Sequence, residues 1–551
     1  MAVARGGLRM KVGREGVGFL LPVVAFVALF ALLPVAILFA NALVQVGGTS
    51  GFVSVLSATR NLRSLDNSLE QGALSATLAV ALGYPAGVFV GRYSFRGRSL
   101  LRSLLLVPFL LPSLVVVLGV LDLFGPSGVV STALPFTSFF GSGIPAIIAA
   151  NLFFNVPIVL LLTATGCEGA SVELEETVAT LGGPPLRAYR EVWARPTWVG
   201  AAAGGLLTFL FSALSFAPPL LLCGASSRCY TLEAQVYALD QTFLEPNAAA
   251  VLALAMVLLL LLPTAVYLAL VSRLRASPGR RSAGPRPIDW RAPASWALAL
   301  ETTLVLAAEA ALLAAVLYRT VAPTGSFGAG AAWTELFSAS TTAHLGVSAL
   351  GAIGNTLFFA VVAALLALLL CVASGYAVVR RPDRAVALGL LLFVPLLLSP
   401  VVLAFALSSF WRPFLGTGSN VWTLVIVSQA ILALPFALQS LEIPLAGLSA
   451  AARDTARTLG ATSFGAFLDA DLPRVQDGLV TVGMFAFAFG LGEFTATNFL
   501  VPPQLTTLPV ALYALSEVRL FPVADAAAGL LLLLSLAVFA VIAVGGRRVE
   551  L

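Results

Sequence analysis

Long apolar runs separated by short polar and basic stretches set the pattern of this chain. Runs long enough to cross about 30 Å of hydrocarbon as a helix begin near Val17, Leu69, Leu100, Ile144, Trp198 and Ala248. A second series begins near Trp296, Gly346, Val386, Val421, Val480 and Val523. The pattern predicts an all-α polytopic membrane protein of about twelve transmembrane helices. The run over residues 346–379 exceeds one span, so it tilts or projects beyond the hydrocarbon. The first run follows a tail carrying Arg5, Arg9, Lys11 and Arg14 and reaches about Phe39, too long for a signal peptide.

Composition agrees: 59% hydrophobic against 10% charged residues over 551 positions lies far outside soluble usage. The net charge of +5 comes as short basic clusters between apolar runs, which is a topology signal rather than a nucleic-acid surface. With the amino terminus in the cytoplasm, only Arg60, Arg63, Arg228, Arg319, Arg412 and Arg519 of the 31 basic residues fall outside. Both termini are then cytoplasmic. The single lysine, Lys11, follows Met10, so the chain has no Gly-Lys pair and no phosphate-binding P-loop. Cys167, Cys223, Cys229, Cys371 and the lone His344 form no metal-ligand pattern. Cys223 and Cys229, in a Gly/Ser turn, read as unpaired.

Residues 277–293 combine Pro, Gly and Arg without apolar period and read as a cytoplasmic linker. On either side the landmarks recur 278 residues apart. Asn151 matches Gln429, Pro157 matches Pro435, Thr177 matches Thr455, Thr180 matches Thr458, Leu181 matches Leu459, Gly182 matches Gly460 and Ala188 matches Ala466. Further on, residues 230–239 correspond to 506–515 with the offset shortened to 276. The expected organisation is a first half, 1–276, with a polar loop near 172–198, the linker, and a second half, 294–551, with its loop near 448–475. Six spans per half give both halves one orientation, a parallel repeat able to enclose a path.

The two loops, 172–198 and 448–475, are too polar to span and too patterned for plain connectors. Each reads as helix, glycine turn, helix, with the turn at Gly182 or Gly460. Val178, Leu181, Ala456 and Leu459 are apolar positions available for docking into another subunit. Glu176 and Asp454 are equivalent acids expected near the helix starts, where a carboxylate favours the positive dipole end.

These loops resemble the EAA motif of permease subunits in ATP-binding-cassette (ABC) importers: Glu-Ala-Ala, three residues, Gly, nine residues, Ile, one residue, Leu-Pro. Glu176-Thr177-Val178 precedes Gly182, with Val192 at the isoleucine position; Asp454-Thr455-Ala456 precedes Gly460, and Leu472-Pro473 closes the motif. Copy one departs with Ala194-Arg195 in place of Leu-Pro, which implies a differently built exit turn. Copy two departs with Asp454 for Glu and Ala470 for Ile. The resemblance implies a fused permease whose two loops couple to two separate ABC ATPase subunits, with ATP and Mg held by those partners and no cofactor or catalysis in this chain. It also implies delivery by an extracytoplasmic substrate-binding protein and a place in the cytoplasmic (inner) cell membrane. Within the superfamily the chain is most similar to fused permeases for thiamine and for ferric iron, through residues 214–224 with 230–239 and residues 490–500 with 506–515.

Asn151 and Asn155 share a helix face, Gln429 repeats the first of them, and Glu493 lies among small residues within an apolar run. These four are candidates for the substrate path. For Glu493 the competing expectation is a structural acid, paired with an arginine or protonated. Glu301 and Glu309 fall in the seventh span, without the His or Asp array of a proton pump. A secondary transporter built on two parallel six-helix repeats, or a non-transporting scaffold, also fits the spans; the paired loops are what neither would need.

Overall fold

A computed structural model describes residues 15–105, 107–168, 170, 172–223, 227–275, 285–323, 328, 330–380, 398–416, 419–446 and 450–547. In chain order the helices that build the body are α1 (Leu21–Gln45), α2 (Thr59–Arg92), α3 (Ser113–Ala133) and α4 (Gly143–Glu168). They continue with α5 (Val172–Thr180), α6 (Ala194–Ala213), α7 (Ala217–Leu222), α8 (Leu232–Tyr237) and α9 (Pro246–Arg275). The second series is α10 (Pro293–Val321), α11 (Ala349–Arg380), α12 (Pro400–Leu415), α13 (Trp422–Ala446) and α14 (Ala450–Thr458). It ends with α15 (Leu472–Gly492), α16 (Thr495–Leu500), α17 (Leu508–Glu517) and α18 (Phe521–Arg547).

Among the described residues nine helices are long and apolar enough to cross a membrane, or ten if the helix bent by 62° near Gly478 counts as one span. The protein is an all-α, multi-pass membrane protein. Twelve spans were expected, and the difference has local causes. The run near Leu100 is cut at Pro108 and Pro112, and the crossing helix starts at Ser113. The stretch near Val386 lies outside the described residues, and α12 that follows has only 16 residues. As expected, the run from residue 346 is long: α11 has 32 residues, about 48 Å at 1.5 Å per residue.

Within the first half, α2, α4 and α6 pack on one another, and α11, α13 and α15 do so in the second. Small residues allow this. Gly83, Gly87 and Gly91 put a bare stripe of α2 against α4, where a Cβ on Gly87 would lie 2.6 Å from the Leu160 carbonyl oxygen. Toward its other end, α2 buries Asn61, Ser64, Ser68, Gln71 and Ser75 at alternating steps of three and four, a polar stripe that must find partners inside the protein. Asn67 Nδ2 donates to the Tyr230 carbonyl (3.0 Å), and Ser68 Oγ accepts from Leu232 N (2.8 Å). In the other half Asn355 Nδ2 donates to the Thr506 carbonyl (3.0 Å), and Thr356 Oγ1 accepts from Leu508 N (2.8 Å). The same pair of bonds thus joins equivalent elements of both halves.

The halves also embrace. The leading helix of the second half, α10, packs on α2 and α3 of the first; α1 packs on α11 and α12 of the second. Arg319 of α10 reaches across to α3, with Nε 3.7 Å from Asp122 Oδ1 and a hydrogen bond to the Ser127 carbonyl. An arginine placed outside by charge counting is therefore buried between halves. The described part of the linker is also structured: β2 (Arg286–Pro287) pairs in parallel with β1 (Tyr93–Ser94), directly after α2.

Candidate functional site: paired loops and a central cavity

The two polar loops have one architecture. Helices α5 and α14 each run nine residues and start 278 residues apart. Each ends in a left-handed glycine, Gly182 at φ 71° and Gly460 at φ 96°. The N–H of Gly183 donates to the Val178 carbonyl and that of Gly182 to Ala179; Ala461 donates to Ala456 and Gly460 to Arg457. This is the six-to-one and five-to-two pattern that satisfies the last carbonyls of a helix and turns the chain sharply. A side chain at either glycine would meet no atom within 4 Å, so the left-handed φ, and not crowding, is what demands glycine.

The turn pushes one leucine of each loop into the open: Leu181 is 79% exposed and Leu459 84%. Val178 turns inward, against the cluster of Cys167, Ala170, Val192 and Trp193, and Ala456 is half-buried. Glu176 and Asp454 are exposed, but each is the fifth residue of its helix. Their expected place near the helix start is therefore wrong; Glu173 and Glu175 occupy the first turn of α5. The exit turns, expected to differ, are built alike: π-helical turns at Tyr189–Trp193 and Phe467–Asp471 lead into α6 and α15 in the same register. Leu472, half-buried, and Pro473, exposed, open α15, where a proline in the first turn costs no hydrogen bond. Ala194 and Arg195 open α6 without it.

Each loop is anchored by charge, in different ways. In the first, Glu175 is buried and lies 2.7 Å from Arg92 Nη2, whose guanidinium stacks 5.0 Å from the Trp193 ring. At the position equivalent to Glu175, the second loop carries Arg453, 3.4 Å from the fully buried Asp471. Tyr84 of α2 hydrogen-bonds Tyr189 and Thr197 by its hydroxyl, joining the exit turn to the body.

A cavity of about 290 Å³ lies between the halves. Asn151, Asn155 and Glu493 line it, so three of the four path candidates converge there. Gln429 is buried beside it, with Nε2 donating to Thr497 Oγ1 at 3.2 Å. Asn151 Nδ2 donates to Gln71 Oε1 (2.7 Å), and Asn155 Nδ2 donates to the Asn151 carbonyl (2.7 Å). The Asn155 Oδ1 finds no partner among the described residues.

Glu493 is neither paired with arginine nor idle. Its carboxylate accepts from Ala496 N (2.7 Å) and Thr497 N (2.9 Å), capping α16. Five phenylalanines, Phe154, Phe211, Phe216, Phe489 and Phe494, face the same cavity, and none of its lining residues is basic. Phe216 and Phe494 are repeat-equivalent and stack on each other at 5.7 Å, each flanked at 5.2 Å by an equivalent tyrosine, Tyr237 and Tyr513. This four-ring ladder escaped the sequence reading, although the 278-residue offset between the two phenylalanines was available to find it. Cys223 and Cys229, read as unpaired, are joined in a disulfide, with Cα atoms 5.7 Å apart, between α7 and α8.

Two embracing helical halves, matched cytoplasm-facing levers and a cavity at the seam define the class of membrane permeases. Residues 83–276 match the family described as binding-protein-dependent transport system inner membrane component, and the chain belongs over that segment to this family of non-catalytic ABC transporter permeases. A probable molybdenum ABC transporter permease protein of Haloferax volcanii is 31% identical over 163 residues, covering 29% of this chain and 59% of the relative. The molybdenum transport system permease protein ModB of Escherichia coli K12 is 31% identical over 150 residues, 25% of this chain and 65% of the relative. The chain thus spans less than two thirds of these relatives. The thiamine transport system permease protein ThiP of Escherichia coli K12 is 26% identical over 502 residues, 88% of this chain and 89% of the relative.

Proposed function

We propose that this chain is the fused permease subunit of an ATP-driven importer of the inner cell membrane, with both termini and both paired loops in the cytoplasm. The observation that carries this reading is the pair of glycine-capped helices 278 residues apart, each offering one exposed leucine. Two ABC ATPase subunits grip these loops, one each. Their closure on ATP displaces α5 and α14, and the π-helical exits pass the displacement to α6 and α15, which border the cavity. The chain thereby alternates the side on which the cavity opens, and an extracytoplasmic binding protein supplies the solute. ATP and Mg belong to the partners.

Of the expected cargoes, thiamine and ferric iron, the cavity supports thiamine. Aromatic faces attract an organic cation, the Asn155 Oδ1 is a free acceptor, and Glu493 adds a carboxylate. The full-length similarity to thiamine permeases points the same way. A second reading, oxyanion transport, is favoured by the molybdenum relatives. It lacks a basic lining residue in the cavity.

Copurification with the ATPase, before and after replacing Gly182 and Gly460 with valine, tests the coupling assignment. Unchanged assembly and unchanged ATP hydrolysis would overturn it. Uptake of labelled thiamine, ferric iron and molybdate into proteoliposomes holding the complete transporter decides the cargo.

A further inference from the structure

The first lever differs from the second in what it is tied to. Arg286, at the start of the ordered part of the linker, places Nη1 3.4 Å from Glu175 Oε2 and Nη2 3.8 Å from Glu176 Oε1. Glu175 is held from its other side by Arg92, the last residue of α2. Backbone pairing of Tyr93 with Arg286 and of Ser94 with Pro287 fixes this cluster to the end of α2. Ile288 packs against the cluster of Ala86, Phe89 and Val90 on the same helix. A short turn, in which Trp296 Nε1 donates to the Trp290 carbonyl (2.9 Å), then delivers the chain into α10. Ser295 Oγ donates to Tyr93 OH at 3.4 Å, closing the connection back on β1.

The second lever has no such outward tie among the described residues. Its Arg453 pairs with Asp471, which belongs to the same loop. Thus α14 is braced internally, whereas α5 is braced to α2 and to the segment that becomes α10.

We infer that the linker is a strap and Arg286 its positioning residue, through which α5 is coupled directly to α10, the leading helix of the opposite half. This rests on the coupling role proposed for the loops. A displacement of α5 then travels by two routes. One runs through the exit turn into α6 of its own half; the other runs through Glu175, Glu176, Arg286 and β2 into α10. Because α10 packs on α2, α3 and α18, one ATPase stroke reaches helices of both halves. The strap also gives copy one, whose motif lacks Leu-Pro, a second attachment.

The test has two arms. In the full chain alone, reconstituted in nanodiscs, hydrogen exchange is followed at residues 172–180 and 450–458 for the wild type, Arg286→Ala and Arg286→Lys. Arg286→Ala is expected to speed exchange in 172–180 about five-fold, to leave 450–458 unchanged, and to be largely rescued by Arg286→Lys. Unchanged exchange, or an equal rise in both segments, would overturn the strap.

In the second arm the complex with the copurifying ATPase is compared with and without ATP and vanadate. Wild type should change exchange at residues 293–300 and 194–200 together; Arg286→Ala should lose the first response and keep the second. Retention of both responses in Arg286→Ala refutes transmission through Arg286. If the wild type captures no ATPase, the permease reading itself fails, while the first arm still decides the strap.

Discussion

Replacing Leu181 and Leu459 by alanine, singly and together, probes the proposed docking of the levers most directly. Both side chains stand in solvent, 79% and 84% exposed, so their removal costs the isolated chain almost nothing. On docking into an apolar groove each would bury three more carbons than alanine does, at ~0.8 kcal/mol per carbon, or about 2 kcal/mol. That is roughly a 30-fold weaker affinity for one ATPase subunit. The two loops share no contacts, so the losses add: about 4 kcal/mol and roughly 700-fold for the double variant. Binding of the purified ATPase to the permease in nanodiscs, by surface plasmon resonance, reads the affinities, and thermal unfolding of the permease alone serves as control. Affinities within two-fold of wild type would refute the reasoning. So would a parallel fall in the unfolding midpoint, which would make these leucines structural.

Gly87→Ala drives a Cβ to 2.6 Å from the Leu160 carbonyl oxygen and 2.6 Å from Thr163 Cβ, so α2 and α4 must separate. A loss of about 1–3 kcal/mol is expected as a lower thermal midpoint, whereas Gly354→Ala, with nothing within 4 Å, should be neutral or better. Glu493→Gln keeps an acceptor for the α16 N-terminus but removes the charge; uptake of labelled thiamine should fall with little change in stability, whereas Glu493→Ala should lower both. In intact cells a membrane-impermeant maleimide should label Cys223 and Cys229 only after reduction. Labelling that requires lysis would place that loop in the cytoplasm and invert the proposed orientation.

Much of the working apparatus was legible because it is local and repeated. Gly182 and Gly460 announce their turns by residue type, and the 278-residue register carries the second loop from the first. What failed was decided by geometry that spacing does not encode. Val178 and Leu181 looked alike as apolar loop positions; only the packing of Val178 on Trp193 separates them. Glu493 looked like a buried charge in search of arginine, but a break between α15 and α16 gives it backbone N–H groups instead. The disulfide was misread because six residues of Gly/Ser-rich chain say nothing about whether their ends meet.

By itself the sequence determined that the chain lives in a membrane, that it was assembled from a repeated unit, and that each unit carries a capped lever. Hydrophobic run length, internal register and glycine placement are properties of the linear chain. The tertiary structure decided which polar groups share the seam, that the leading helix of each half clasps the other, and that Arg286 meets Glu175. Those depend on how helices cross, and residues more than a hundred positions apart become neighbours only once small side chains have let the helices approach.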